Sequence, residues 1–225
     1  MVQNKPQAEK DPEVAIASAI GRVEAFIMRN SRSLLTALGV VIIVVGGFFG
    51  YKYLVAVPRM EKASAMMFAA EQQFAQDSFK LALNGDGNFA GFLQVIEKYG
   101  STGTGNVARH YAGICYLRLG QYQEALDYLT QYKGSTDDVP SALLAAQNYG
   151  LRGDVYVQMG DYAEAAKSYE KAVATSSDPL TAPYYLKKAG EVYEKLGDNA
   201  KALAAYEAVE VDYPTSMEAR DIQKY

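Results

Sequence analysis

The sequence predicts an all-α protein in which a single N-terminal transmembrane helix precedes a solenoid of helical hairpins. One observation is a 21-residue pattern that is written three times in register, RHYAGICYLRLGQYQEALDYL from Arg109, YGLRGDVYVQMGDYAEAAKSY from Tyr149 and LKKAGEVYEKLGDNAKALAAY from Leu186. Self-similarity of this kind, with one turn glycine per unit, is typical of helical repeats. The other observation is a run from Ser33 to Tyr51 without a charged residue.

The apolar run predicts a transmembrane helix over residues 34–57. About 20 apolar residues cross a bilayer core, and Lys52, Tyr51 and Tyr53 at its end fit the membrane interface. A buried core helix and a cleaved signal peptide, with a small-residue site at Ala63-Ser64-Ala65, are the alternatives. Basic residues are almost equally frequent on both sides of the run, so the charge pattern does not predict the orientation.

Three glycines in the apolar run, Gly39, Gly46 and Gly50, are spaced seven and four residues apart. This spacing places them on one face of a helix, and the last two form a small-xxx-small pair that lets another helix approach closely. Glycine is also simply frequent in spanning helices, which is the alternative interpretation.

The segment before the span, residues 1–33, is predicted to contain a disordered stretch and an amphipathic helix. Residues 1–12 are polar and hold two prolines. From Glu13 to Asn30 the apolar residues recur at helical spacing, as Ile16, Ile20, Val23 and Ile27. This helix either follows a short loop and lies on the membrane surface or a partner, or it continues into the span.

Residues 58–225 are predicted to form the repeat domain, which begins with a degenerate hairpin over residues 59–99. Pro58 is expected to end the anchor helix. Arg59–Leu83 and Asn88–Tyr99 are the predicted helices, with the turn at Asn84–Gly87 between them. Terminal repeats are usually atypical because they cap the stack, and residues 215–225 are expected to start a closing helix.

Each repeated position has a physical role. Gly113, Gly153 and Gly190 are expected where two antiparallel helices touch. Tyr116, Tyr156 and Tyr193 are expected to fill the space between them. Gly120, Gly160 and Gly197 should end each first helix in the left-handed conformation. Ala125, Ala165 and Ala202 should lie at the close contact on each second helix.

These residues resemble the tetratricopeptide repeat, a helix–turn–helix of about 34 residues. The second unit matches best, and the third ends on Pro214 as that family expects. Successive units are offset by 40 and then 37 residues, with the extra residues in the loops. The predicted repeats cover about 106–139, 146–179 and 183–216.

The layout of the whole chain is similar to that of YfgM-type proteins, the ancillary subunits of the bacterial Sec translocon. The resemblance rests on the short first segment, the glycine-rich span ending in GYKYL and the repeats that follow. It implies an inner-membrane protein with a cytoplasmic N-terminus and periplasmic repeats. It also implies the SecYEG translocon, a PpiD-like periplasmic foldase and exported polypeptides as partners.

The sequence contains no recognisable active site and predicts no enzyme, no cofactor and no metal centre. It has one histidine, His110, and one cysteine, Cys115, with no nucleophile–base arrangement. Residues 58–225 carry 16 Lys or Arg against 22 Asp or Glu. This acidic balance argues against nucleic acid as a partner.

A partner groove is predicted on the first helices of the hairpins, the surface that tetratricopeptide repeats use for binding. By register the groove comprises Val107, His110, Ile114, Arg118, Asn148, Asp154, Val157, Gln158, Tyr184, Lys187, Glu191 and Lys195. It lacks the Lys/Asn clamp that binds terminal carboxylates in other members of that family.

The sequence therefore predicts a membrane-anchored protein–protein interaction scaffold that assists the Sec translocon and periplasmic chaperones. Two alternatives share its features. One is a scaffold subunit of another envelope assembly or secretion complex. The other is an organelle import receptor with cytosolic repeats.

Overall fold

The computed structural model describes residues 12–222, with side chains from residue 16 onward, and this part of the chain is helical without a β-strand. The predicted disordered stretch falls almost entirely outside the described residues. Two compact units, Met1–Pro58 and Arg59–Tyr225, divide the chain. The helices are α1 (Pro12–Tyr51), α2 (Val57–Ala75), α3 (Phe79–Asn84), α4 (Phe92–Tyr99), α5 (Gly103–Arg118), α6 (Tyr122–Gln131), α7 (Val139–Met159), α8 (Tyr162–Thr175), α9 (Ala182–Leu196), α10 (Asn199–Asp212) and α11 (Met217–Ile222).

In the first unit, α1 joins the predicted amphipathic helix and the apolar run in one helix. Asn30 is the only interior residue of α1 with non-helical dihedral angles (φ −111°, ψ 16°), and its side-chain amide donates to the Phe26 carbonyl at 3.0 Å. A side chain that bonds within the helical ladder bends the helix there. Of the two interpretations of the leading segment, the structure therefore favours continuation through a kink over a separating loop.

Pro58 does not end the helix as predicted. A π-helical turn, Lys52–Ala56, precedes it, and the Val57 N–H donates to the Lys52 carbonyl five residues back. Proline lacks an N–H and crowds the preceding turn, and a π-turn widens the helix locally so that it can pass such a site. The proline is also near the start of α2, a position it tolerates well.

The first hairpin of the second unit turns earlier than predicted. Helix α2 ends at Ala75, and Asp77 adopts the left-handed conformation with φ 57°. The Asp77 N–H donates to the Phe74 carbonyl and the Ser78 N–H to the Gln73 carbonyl, which together form a Schellman closure. The predicted continuous helix Arg59–Leu83 is therefore wrong at residues 76–78.

The turn predicted at Asn84–Gly87 interrupts the second helix of this first hairpin. It separates α3 from α4, and an isolated bridge joins Gly85 to Ala90. Helix α4 consequently begins at Phe92, four residues after the predicted start at Asn88.

The three later hairpins, α5/α6, α7/α8 and α9/α10, close with the same backbone geometry as the first. Gly120, Gly160 and Gly197 have φ values of 75°, 79° and 75°, which confirms the predicted left-handed glycines. At each of them the Schellman pair of hydrogen bonds recurs, and its 6→1 bond ends on the carbonyl of Tyr116, Tyr156 or Tyr193. Asp77 and the three glycines are successively offset by 43, 40 and 37 residues.

The small residues of the repeats allow the helices to touch. A Cβ placed on Gly113 would lie 2.5 Å from Leu129 Cγ, and one on Gly153 would lie 2.5 Å from Tyr169 Cε1. At Gly190 the obstruction would be the ring of Tyr206. The alanines at the close contacts, Ala125, Ala165 and Ala202, are buried. The predicted roles of these glycines and alanines are therefore confirmed.

The core of the second unit continues from hairpin to hairpin. Phe92 and Tyr111 stack with ring centroids 5.3 Å apart between α4 and α5. Tyr169 and Tyr185 stack at 6.3 Å between α8 and α9. The closing helix α11 packs on α9 and α10 within the predicted range 215–225, of which residues 223–225 lie outside the described chain. The buried residues form three clusters along the stack, with Tyr116 packed against two of them, and consecutive hairpins that pack on each other in this way form a solenoid.

Candidate functional site

A groove runs across the first helices of the three well-formed hairpins. It encloses about 670 Å³ and is lined by three residues of α5, four of α7 and five of α9, together with three tyrosines of α6 and α8. We call it the A-helix groove. Its lining residues are Ile114, Leu117, Arg118, Tyr122, Leu151, Asp154, Val157, Gln158, Tyr162, Tyr169, Tyr184, Lys188, Glu191, Val192 and Lys195.

Most of the predicted groove residues meet in this groove. They project from three consecutive first helices that the repeat stacks side by side, so residues 81 positions apart in the chain line one depression. The predicted residues that line it are Ile114, Arg118, Asp154, Val157, Gln158, Tyr184, Glu191 and Lys195.

His110 and Asn148 do not lie on the groove surface, contrary to the prediction. Their side chains are 2% and 3% exposed, and Asn148 Nδ2 lies 3.2 Å from His110 Nδ1. The amide nitrogen can only donate, so His110 Nδ1 accepts and its imidazole is neutral. Burial lowers the pKa of His110 to about 4, which agrees with this protonation state. The pair is a buried polar link between α5 and α7.

Lys187 also points away from the groove, and Lys188 takes the place predicted for it. Lys187 Nζ forms an ion pair with Asp221 of α11 at 3.2 Å. Along α9 the lining residues Tyr184, Lys188, Glu191 and Lys195 follow steps of four, three and four. This spacing keeps the four residues on one face of the helix, whereas Lys187, three residues after Tyr184, lies at the edge of that face. Lys188 could have been identified from the sequence, because it lies four residues, about one helical turn, after Tyr184.

Asp154 organises the centre of the groove. Its Oδ1 accepts from Tyr169 OH at 2.7 Å and from Lys188 Nζ at 2.6 Å, so three helices meet at one carboxylate oxygen. The Lys188 ammonium also lies 4.8 Å from the ring centroid of Tyr184 and 5.6 Å from that of Tyr169. These contacts hold two aromatic rings and one cation in a fixed arrangement.

The electrostatics of this cluster keep Tyr169 and Lys188 in their ordinary protonation states at neutral pH. Burial, followed by the charge and hydrogen bond of Asp154, raises the pKa of Tyr169. Burial lowers the pKa of Lys188, but the contacts with Asp154 and with Tyr184 together outweigh burial, and the net shift is upward. Tyr169 therefore remains a donor and Lys188 a cation.

The sequence prediction missed two sets of groove residues. One set lies on the second helices, and the other consists of apolar residues on the first helices. Tyr122 and Tyr162 each lie two residues after a turn glycine, a shared register that could have identified them. Tyr122 OH donates to Gln158 Oε1 at 3.3 Å and joins hairpin α5/α6 to hairpin α7/α8. Leu117, Leu151 and Val192 supply apolar wall between the polar residues.

The groove has the composition of a binding surface. Aliphatic side chains and tyrosines form much of its wall. Arg118, Glu191 and Lys195 are exposed and add charges of both signs. Within residues 12–222 no group of three or more His, Cys, Asp or Glu side chains is arranged to hold a metal ion. Cys115 is fully buried, and burial raises the pKa of its thiol to about 12.

One continuous helix of the described chain, Ile16–Ala75, is long and apolar enough to cross a membrane. The test is one of length and composition, which a signal sequence near an N-terminus also passes. Its most apolar window is not covered by any other described part of the chain.

The chain contains tetratricopeptide repeats. Two family models, each described as tetratricopeptide repeat, match residues 106–178 and 151–217. Two crystal structures of MamA, a protein with these repeats, are similar in fold at 18% sequence identity and a TM-score of 0.51. The similar regions cover 64% and 68% of this chain and 74% of each MamA chain. Among curated proteins, none is significantly similar to the chain. Tetratricopeptide repeats indicate a protein–protein interaction scaffold.

Proposed function

We propose that this protein is a membrane-anchored scaffold whose A-helix groove binds an extended segment of a partner polypeptide. The observation that carries this proposal is the preorganised cluster at Asp154, which holds Tyr169, Lys188 and Tyr184 in place along the groove. Side chains that are already ordered lose little conformational entropy on binding. Tyrosines next to aliphatic wall also resemble the residues that dominate binding energy at protein interfaces.

The finer proposal places the repeats in the periplasm, with the N-terminus in the cytoplasm, at the Sec translocon. Support for it comes from the layout of the sequence, which resembles YfgM-type proteins, and from the apolar helix at the N-terminal side of the repeats. The SecYEG translocon and a PpiD-like foldase would be the protein partners. Exported polypeptides would be the clients.

Anchoring explains how a groove of modest affinity would be useful in this setting. A binding site held at the membrane meets emerging polypeptides at a high effective concentration. The mixed charges at the groove edge, Arg118, Glu191 and Lys195, would influence the association rate and selectivity more than the affinity.

Site-specific photocrosslinking tests the groove. A benzoylphenylalanine at Gln158, which is exposed within the groove, should crosslink to bound polypeptide in intact cells. Lys167, exposed on α8 outside the groove, is the matched control position. Equal crosslinking from both positions, or from neither, would contradict groove binding and leave the membrane proposal untouched.

Affinity purification in mild detergent with mass spectrometry tests the partners. The full chain should recover translocon subunits and a periplasmic foldase. The variant with Gly46→Leu and Gly50→Leu should lose them if the contact lies in the membrane. A Cβ on either glycine meets no atom within 4 Å inside the chain, so the fold itself gives no reason for the loss. Recovery of a different envelope complex would overturn the Sec assignment and favour the alternative of another assembly scaffold.

A further inference from the structure

A small polar pocket lies apart from the A-helix groove, where the end of α6 meets α7 and α8. It encloses about 110 Å³, and Tyr132, Thr136, Asn148, Tyr149, Arg152 and Thr175 supply its polar and aromatic wall. None of its lining residues also lines the groove, and none is acidic. A pocket of this size takes a group of a few heavy atoms and excludes a nucleotide or a sugar.

Arg152 is the chemically distinctive residue of this pocket. Its Nε is buried without a hydrogen-bond acceptor, and the guanidinium forms no hydrogen bond or ion pair within residues 12–222. Its Cζ stacks over the Tyr149 ring at 5.2 Å. A buried donor without an acceptor is unfavourable, and arginine in folded proteins normally meets a carboxylate or a phosphate.

A second cation reinforces the positive potential around Tyr149. Lys171 Nζ lies 4.6 Å from the centroid of the same ring, so two positive groups contact one aromatic ring. One N–H of the Asn148 amide is directed to His110, and Arg152 is the one positively charged donor among the residues that line the pocket. Thr136 adds a hydroxyl to the wall.

We propose that this Arg152 pocket binds a carboxylate or a similarly small oxyanion. The guanidinium would donate to the anion through its two terminal nitrogens, which are more accessible than the buried Nε and form a fork that matches a carboxylate. Lys171 would contribute its positive charge from its position next to Tyr149. The anion is either a carboxylate of a bound polypeptide or a free small anion, and both sources supply the same chemistry. The proposal does not depend on binding in the A-helix groove.

Thermal unfolding of the full chain in detergent, followed by tyrosine fluorescence, tests the pocket. Sodium acetate is compared with sodium chloride at equal ionic strength and neutral pH. A ligand that binds only the folded state raises the Tm by mass action, and we expect a rise of roughly 3 °C at about 100 mM acetate. A Tm that is unchanged by acetate, by inorganic phosphate and by the peptide described below would overturn the proposal.

Arg152→Gln should abolish the acetate-induced rise, because it removes the charge and the forked donors. Arg220→Gln makes the same chemical change at an exposed position of α11 and should keep the full rise. An Arg152→Gln protein that still responds like the unaltered chain would overturn the assignment. If that variant fails to fold, Lys171→Gln at an exposed site should reduce the rise by about half, and an undiminished rise would count against the pocket.

Two further probes distinguish the source of the anion. The capped peptide acetyl-Gly-Glu-Gly-amide is compared with its Gln counterpart. Stabilisation by the Glu peptide at lower concentration than acetate, and not by the Gln peptide, identifies a polypeptide carboxylate. Stabilisation by acetate or phosphate without any effect of the Glu peptide identifies a free anion. Either outcome requires the Arg152 dependence described above.

Discussion

At the scale of single residues, the helix contacts of the repeats depend on glycines, because a glycine has no Cβ and leaves space for a side chain of the neighbouring helix. Gly153 faces the ring of Tyr169 so closely that one methyl group has no space. The same relation holds for Gly190 and Tyr206 in the next hairpin. Tyr169 also donates to Asp154, so the tight contact at Gly153 positions a residue of the groove.

Gly153→Ala should lower the free energy of unfolding by about 1–3 kcal/mol, since the new Cβ forces Tyr169 or α8 to move. Urea denaturation of the full chain measures this change. Gly103→Ala is the matched control, because a Cβ there meets no atom within 4 Å. Equal stability of the two variants would show that the helices can accept a methyl group at Gly153 without loss of stability.

His110 predicts an acid-sensitive stability. Its folded pKa of about 4 lies below the ordinary value of 6.5. The unfolded chain therefore binds a proton that the folded chain excludes. This contribution to stability is complete above pH 6.5 and is lost as the pH falls from 6.5 towards 4. The loss between pH 7 and pH 5 should be about 2 kcal/mol.

Urea denaturation at pH 7 and pH 5 measures that loss, and His110→Gln should remove it. His110 is the only histidine of the chain, so the variant removes all histidine titration. Its baseline stability is expected to be lower, because Asn148 loses an aromatic partner. An unchanged pH dependence in the variant would assign the effect to carboxylates.

The same residue shows a limit of sequence prediction. The register of the repeats placed His110 and Asn148 on first helices, and both are there. Whether a polar residue on such a helix faces solvent or another polar residue depends on its neighbour 38 positions away, as in this pair. Periodicity within one helix carries no information about that neighbour, so the burial of the pair could not be predicted.

At the scale of elements, every hairpin of the second unit ends its first helix with the same closure. Three of the left-handed residues are glycine and the fourth is Asp77. A glycine after a helical pattern predicts such a turn, whereas an aspartate does not, because aspartate is common in turns, caps and loops of many kinds. The turn predicted at Asn84–Gly87 exists but separates α3 from α4, and the turn of the first hairpin lies at Asp77, where the sequence has no glycine.

Asp77→Gly should raise the free energy of unfolding by about 0.5–1 kcal/mol, because glycine adopts a positive φ without a steric penalty. Gly160→Ala makes the opposite change at the equivalent turn and should lower it by about 1 kcal/mol. Urea denaturation midpoints of the two variants and the unaltered chain give the comparison. A destabilised Asp77→Gly protein would show that the aspartate side chain has a role of its own at this turn.

At the scale of the whole molecule, the all-α class, the apolar N-terminal helix and the helical hairpins could be predicted from periodicity and glycine spacing. The Lys52–Ala56 π-turn and the split second helix of the first hairpin could not. Both are local adjustments of backbone hydrogen bonding around Pro58 and around the Gly85–Ala90 bridge. Such adjustments leave the residue pattern on either side unchanged.

Orientation in the membrane can be tested with one added cysteine. Cys115 is buried and its thiol pKa is raised to about 12, so it should resist labelling in the folded protein. If the repeats are periplasmic, as proposed, Asp137→Cys in the exposed loop before α7 should react with a membrane-impermeant maleimide in cells with a permeabilised outer membrane. Protection there, with labelling only after lysis, would place the repeats on the cytoplasmic side.

The local character of the helix packing has a consequence for how the domain is made. Among the described helices, every substantial contact joins elements that are neighbours in the chain or one element apart. Each hairpin also closes through hydrogen bonds within its own turn. A chain that emerges slowly from its N-terminal end can therefore complete one hairpin before the next is available. The second unit can therefore fold in the order of synthesis, because the packing partners of each early helix lie close to it in the chain and not at the last helix.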